Sequence, residues 1–193
     1  MDSLPRQTLA QILNLTLGAI AERPGLAIAL LEPVNQALVA GVPDTPSFRE
    51  KVAVALGFAL PDQPNTVAGD KTRALSIAPG QWLVTSDEPA MGTLTVRLGE
   101  ALYLGGGFVS CQRDGLVVFE LKGPAARDIL AMGCALDTEG EALAPGRCAR
   151  TPFAGVNTIL YPLGSRDHWR LHIERAFARQ MVEWLRLAAS AIG

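Results

Sequence analysis

From residue 35 onward this sequence runs through the same order of elements twice, and that order excludes most folds. The first pass opens with a β-like run at 35–41, and Val-Pro-Asp-Thr-Pro turns out of it. A helix is predicted over 47–57, with Phe48, Val52, Ala55 and Leu56 on one face and Gly57 as its stop. Residues 60–70, rich in Pro, Asn and Gly, form a loop. The runs 73–78 and 81–86 flank Pro79-Gly80 as a hairpin, a helix covers 88–102, and three glycines lead into a strand at 108–112.

The second pass repeats this order. A β-branched strand at 115–122 meets Gly123-Pro124, which opens a helix through Met132, since proline at the first helical position forfeits no hydrogen bond. A turn-rich loop at 133–146 follows, then a hairpin of 147–153 and 156–161 across Ala154-Gly155. A strand at 168–173 and a helix at 176–189, with Phe177, Met181, Trp184 and Leu185 inward, complete it. Two pseudo-repeats, about 34–112 and 115–190, therefore make one compact domain over 26–193. Each is a split βαβ unit, so the fold class is α+β, a ferredoxin-like duplication with helices covering antiparallel sheets.

Residues 1–25 stand apart as an amphipathic helix and linker. Leu9, Ile12, Leu13, Leu17 and Ile20 share one face at helical spacing, and Glu-Arg-Pro-Gly at 22–25 ends the run. Neither this stretch nor 26–31 reaches the ~20 apolar residues that cross a bilayer. Asp2 and the polar Gln11, Asn14 and Thr16 argue against a secretory leader. Cys111, Cys134 and Cys148 form no C-x-x-C pair, so reduced thiols in a cytoplasmic protein are expected.

Composition adds one functional hint. At 193 residues the chain can bury a full core without staples. It is 49% hydrophobic and 19% charged, where soluble domains carry about 25% charged residues. Disorder is excluded, and a net charge of −2 argues against general nucleic-acid binding. A surface short of charge is expected to be covered by something.

No self-contained active site emerges from the residues. His168 and His172 are four apart, but in a strand they stand roughly 13 Å apart and cannot share one ion. Hydrogen bonding near a sheet edge is the expectation for them. Gly69-Asp70-Lys71-Thr72 lacks the spacing of a phosphate loop and puts an aspartate where the anion would sit. The three glycines at 105–107 lead into a strand and not a helix, unlike a dinucleotide fingerprint. Ser165, Asp167 and His168 are sequence neighbours, which is not how a triad converges. The carboxylate pairs Asp87/Glu88 and Glu139/Glu141 fall in loops or at helix starts. The arginines from 166 to 186, Arg170 among them, alternate with acids as a mixed charged face. Catalytic residues and metal ligands are expected to be absent.

Several motifs carry a resemblance. They are Leu-Lys-Gly-Pro-Ala-Ala-Arg-Asp-Ile-Leu-Ala-Met-Gly-Cys-Ala-Leu-Asp at 121–137 and Pro-Gly-Arg-Cys-Ala-Arg-Thr at 145–151. Pro64-Asn65-Thr66, Ala-Pro-Gly-Gln-Trp-Leu at 78–83, and Phe177-Ala with Glu183-Trp184-Leu185 join them. Over roughly 26–190 the chain resembles the gamma subunit family of heterotetrameric sarcosine oxidase, itself related to folate-binding aminomethyltransferase-like domains. The resemblance implies a non-catalytic structural subunit in a bacterial complex of sarcosine catabolism or a related N-methyl-amine oxidase. It implies that FAD, FMN, NAD and tetrahydrofolate are used by larger flavoprotein subunits and that none is bound by this chain alone. No nucleic acid or membrane partner is implied, and the isolated chain is open to self-association. The chain departs from its relatives at Phe-Val-Ser-Cys-Gln-Arg-Asp (108–114), where they carry a more acidic run, and in its N-terminal helix.

The alternative is a stand-alone folate or pterin binder. Asn65, Arg127, Asp137 and Arg147, from the two loop regions, would supply its acidic anchor and basic group. Arg127 has an ordinary role open to it as well, pairing with Asp128 or a loop carboxylate. A tRNA-modifying relative of the same fold is disfavoured, because no basic stripe is visible. Trp82, Trp169 and Trp184 are expected to pack in the chain's own core before any contact surface.

Overall fold

Strand β8 (Leu116–Lys122) shows why the sheets stack: five consecutive residues, Val117 to Leu121, are buried, so both of its faces are covered. The computed structural model describes residues 18–31, 35–42, 46–88, 93–103 and 106–192. Sheet one joins β8 to β1 (Gly18–Arg23), β2 (Leu26–Leu30), β9 (Ala149–Phe153), β10 (Val156–Pro162) and β11 (His168–Glu174), in the order β1-β2-β8-β11-β10-β9. Sheet two holds β3 (Asn35–Gly41), β4 (Val67–Gly69), β5 (Thr72–Ala78), β6 (Gln81–Ser86) and β7 (Gly107–Cys111), in the order β4-β5-β6-β3-β7. All the strand pairings are antiparallel.

Helices cover the outer faces. Helices α1 (Pro46–Leu56) and α2 (Thr93–Leu102) bury Phe48, Val52, Leu94 and Leu98 against Val39, Trp82 and Val84 of sheet two. Helices α3 (Ala126–Gly133) and α4 (Ala178–Ala191) bury Ile129, Leu130, Met181 and Leu185 against Phe119, Trp169 and Leu171 of sheet one. The inner faces meet through Leu75, Leu83, Cys148, Ile159 and Tyr161. The result is four layers: helices, sheet, sheet, helices.

The two sheets match strand for strand, β4-β5-β6-β3-β7 against β9-β10-β11-β8-β2. In the first unit the strand beside β3 comes after α2; in the second, the strand beside β8 comes from the N-terminal side of both repeats. This corrects the reading of residues 18–25. Gly18–Arg23 is a strand, not the end of a helix, and it pairs with β2 through Ala21↔Ile28 and Arg23↔Leu26. Pairing with distant β8 by way of β2 overrides local helical spacing, and Gly25, at φ +74°, closes the hairpin. Leu9, Ile12, Leu13 and Leu17 lie outside the described residues.

Other expectations shift less. The second helix starts at Thr93, with Glu88 outside it, and residues 89–92 lie outside the description. Phe177 falls in the 3-10 turn Arg175–Phe177 ahead of α4, out of phase with the helix, and is exposed. Trp82 and Trp169 are buried, and Trp184 packs edge-on against Phe153 at 5.0 Å, so all three serve the chain's own core. Both predicted hairpin turns hold. Ala154 and Gly155, at φ +50° and +78°, form a two-residue turn whose twist matches the flanking strands.

Candidate functional site between the sheets

Alternation along the strands turns every second residue of β11 and β8 toward sheet two. On β11 these are His168, Arg170 and His172, while Trp169, Leu171 and Ile173 face the helices. On β8, Glu120 lies between Phe119 and Leu121, which belong to the helix-side core. A polar layer thus lies inside the molecule, and buried charge must be paired.

Asp87, just past the end of β6, makes the main link. Its carboxylate accepts from Arg73 Nη1 of β5 at 2.8 Å and from Arg170 Nη1 of β11 in the facing sheet. Arg170 also lies 3.5 Å from Glu120, which takes Lys122 Nζ at 2.6 Å and His168 Nε2 at 2.9 Å. Burial alone would raise the Asp87 carboxyl; hydrogen bonds from Arg170 and Arg73 outweigh it and hold the group below its ordinary value. Glu120 follows the same logic, with burial opposed by Lys122 and His168. Burial pushes the Tyr161 hydroxyl up, with Arg170 and Arg73 pulling the other way.

His172 lies deeper. Its ring stacks on Tyr161 at 5.7 Å between centroids, and its Nδ1 meets Gln36 Oε1 of β3 at 2.6 Å. Burial, helped by the Arg170 charge, lowers its pKa to about 3, so the imidazole is neutral. Beside it lies a cavity of about 270 Å³ between the sheets, lined by His172, Ile159, Arg150 and Glu174 from sheet one and by Leu38 and Leu83 from sheet two.

These placements correct three expectations. β11 is an interior strand, so its histidines are hydrogen-bonded far from any sheet edge. Arg170 is buried and not part of an exposed charged face. Asp87 is an ion-pair hub, where a solvated helix start was expected. Among the described residues, no cluster of three or more His, Cys, Asp or Glu could hold a metal.

The four residues offered for folate separate into two pairs. Asn65, at φ +58°, donates its backbone N–H to Ser76 O at 3.1 Å and accepts from Cys148 N at 2.9 Å. Thr66 bridges to Arg147, so Asn65 and Arg147 meet at a seam between the two units. Arg127 pairs with Glu139 at 2.8 Å and with Asp167 at 3.4 Å. Asp137 Oδ1 accepts from Glu139 N at 2.9 Å, so Arg127 and Asp137 meet around Glu139. Sequence reasoning passed over Arg73, Glu120 and Gln36. The one signal available was an ionisable residue inside an apolar strand, as Glu120 is in Val-Val-Phe-Glu-Leu.

The stacked pair of ferredoxin-like units gives the fold class, an aminomethyltransferase-like double unit. The fold matches the glycine cleavage system aminomethyltransferase T from Bartonella henselae at TM-score 0.61 and 17% identity, over 86% of this chain and 49% of that one. The chain belongs to the sarcosine oxidase gamma subunit family, which it matches over residues 40–191. It is 30% identical over 142 residues to the sarcosine oxidase subunit gamma of Corynebacterium sp. (strain U-96), covering 69% of this chain and 65% of that one. With the subunit gamma of Arthrobacter sp it shares 28% over 173 residues, 86% and 83% of the two chains. A chain of the heterotetrameric sarcosine oxidase from Corynebacterium sp. U-96, solved with pyrrole 2-carboxylate, superposes at TM-score 0.84 with 25% identity, over 96% of this chain and 95% of that one.

Proposed function

We propose that this chain is the structural gamma subunit of a heterotetrameric sarcosine oxidase or related N-methyl-amine oxidase, and that it performs none of the chemistry. The single observation that carries this reading is the near end-to-end match to a chain of such a complex. In this reading the larger flavoprotein subunits use FAD, FMN and NAD and transfer the one-carbon unit to tetrahydrofolate, in the cytoplasm. Among the described residues no helix is long and apolar enough to cross a membrane.

Exposed apolar side chains are consistent with covered surface: Val54 is 86% exposed, Tyr103 78% and Phe108 61% in the first unit, and Leu187 70% and Met132 51% in the second. Co-expression with the larger subunits tests the role: the chain is expected to co-purify with them at a fixed ratio. Assembly of a fully active complex without it would overturn the reading.

Asn65 with Arg147, and Arg127 with Asp137, act in this proposal as seams and not as ligand contacts. Titration of the chain with tetrahydrofolate is then expected to give no heat at millimolar ligand. Saturable binding that Arg147→Ala abolishes would instead favour the folate reading.

A further inference from the structure

We infer that the outer edge of β7 is a docking site for an extended, uncharged strand of a larger subunit, which adds to sheet two beside β7. This rests on the subunit reading. In sheet one the position that matches β7 is held by β2, and β2 takes β1 along its outer edge. Among the described residues β7 pairs with β3 alone, so sheet two stops where sheet one goes on.

The ladder fixes which groups face outward. Gln112, just past β7, donates its N–H to Gln36 O of β3 at 2.8 Å. Bonding alternates along an antiparallel pair, so Ser110 and Phe108 also turn their N–H and C=O groups to β3, opposite Leu38 and Ala40. Gly107, Val109 and Cys111 point theirs to the open edge. The phase on β3 agrees: Gly41, out of step with Gln36, donates to Gly80 O on the β6 side at 3.0 Å. Outward N–H and C=O groups at every second residue are what strand addition uses.

The other three edges are guarded. β4 is three residues long and tied to the second unit, with Val67 N donating to Gly146 O at 2.9 Å. β9 carries Arg150 and Pro152, and β1 ends in Glu22-Arg23. Short length, charge and proline are the usual protections of an edge against pairing with another chain. β7, Gly-Phe-Val-Ser-Cys, has no charge and no proline, and its pairing with β3 runs without a register shift. Phe108 on it is 61% exposed, and Tyr103, just past the helix that packs on it, is 78% exposed. The uncharged edge fits an uncharged strand with an apolar residue beside Phe108. A second copy fits less well: edge to edge it pairs five residues a side, where a stable interface takes roughly 20–30. A subunit that also holds the chain elsewhere needs only the strand.

The test compares the full-length chain alone with the chain co-purified with the larger subunits, and reads amide hydrogen exchange residue by residue. Val109 and Cys111 are expected to exchange freely in the isolated chain and to slow by about 100-fold or more in the complex. Phe108 and Ser110 are expected to be protected in both. This measurement needs no variant and decides alone. Val109→Pro removes an outward N–H and none of the ladder to β3, so the isolated variant is expected to fold. Its affinity for the larger subunits is expected to fall by about tenfold or more. Val109→Ala, which trims the side chain and keeps the N–H, is expected to bind like the native chain. Unchanged exchange at Val109 and Cys111 on assembly, full affinity of Val109→Pro, or an equal loss in Val109→Ala would overturn the proposal and leave the subunit reading standing. Two copies of the chain per assembly, paired through β7, would give the edge to a second copy and overturn it as well. A native chain that fails to co-purify would overturn the subunit reading and the docking edge together.

Discussion

At the scale of the residue, His172 links protonation to stability. Its pKa in the fold is about 3 against an ordinary 6.5, because burial and then the Arg170 charge disfavour the cation. The unfolded chain takes up a proton below pH 6.5 that the folded one refuses. The stabilisation is therefore complete above that pH and is lost as pH falls toward 3. One such group gives a slope of about 1.4 kcal/mol per pH unit in that window. Asp87 and Glu120 are held low instead, so their contribution is lost only at more acid pH, below the usual carboxylate range. Urea unfolding from pH 4.5 to 7 is expected to show the His172 slope in the native protein and to lose it in His172→Asn. An unchanged slope in the variant would assign it elsewhere. Gly123 is constrained in a different way. At φ +103°, a Cβ there would lie 2.1 Å from Gly25 O, which itself accepts from Ala125 N. Gly123→Ala is expected to lose at least about 2 kcal/mol in denaturant titration.

At the scale of the element, the N-terminal hairpin completes the second unit. β2 pairs with β8 from Ala27↔Lys122 to Leu30↔Phe119 and buries Leu26, Ile28 and Leu30. Each such side chain contributes about 2 kcal/mol on burial, so the three together rival a large share of a domain's net 5–15 kcal/mol. Deleting residues 1–31 is expected to abolish the near-ultraviolet circular dichroism of the packed core, and a peptide of residues 18–31 is expected to restore it in trans. A truncated chain with an unchanged cooperative melt would show that β8 needs no such partner. This hairpin was also the element least legible in the sequence. Pro79-Gly80 and Ala154-Gly155 were readable because turn chemistry is local. β1 was not, because its strand state depends on a chain of pairings that ends about 90 residues away at β8. The polar layer was hidden for a related reason. A strand covered on both faces shows no alternation, so Glu120 in β8 gives no sign of which sheet it faces. Asn65 and Arg147 were legible as loop residues, but their meeting depends on how the two units stack.

At the scale of the whole molecule, apolar contact, the hydrogen-bonded Asn65–Arg147 seam and the Gln36–His172 bond join the two units. Among the described residues one ion pair, Asp87 with Arg170, links the sheets, and it can be tested alone. Asp87 belongs to the first unit and takes one arginine from each: Arg73 from its own sheet, Arg170 from the facing one. Removing the carboxylate leaves two guanidinium groups, each 9% exposed at the side chain, without their shared partner. Losing one member of a buried pair costs about 3–5 kcal/mol, and Asp87 itself keeps 30% of its side chain exposed, so the lower end applies. Asp87→Ala is expected to destabilise the chain by about 3 kcal/mol in urea titration. Because the strain is uncompensated charge and not lost packing, adding Arg170→Met and Arg73→Met to Asp87→Ala is expected to recover much of that loss. Leu75, Leu83, Ile159 and Tyr161 would then still join the sheets. Recovery in the triple variant would show that the units stay joined without the ion pairs, by apolar contact and the hydrogen-bonded seam. A triple variant as unstable as Asp87→Ala would mean that the carboxylate bridge itself holds the two sheets together.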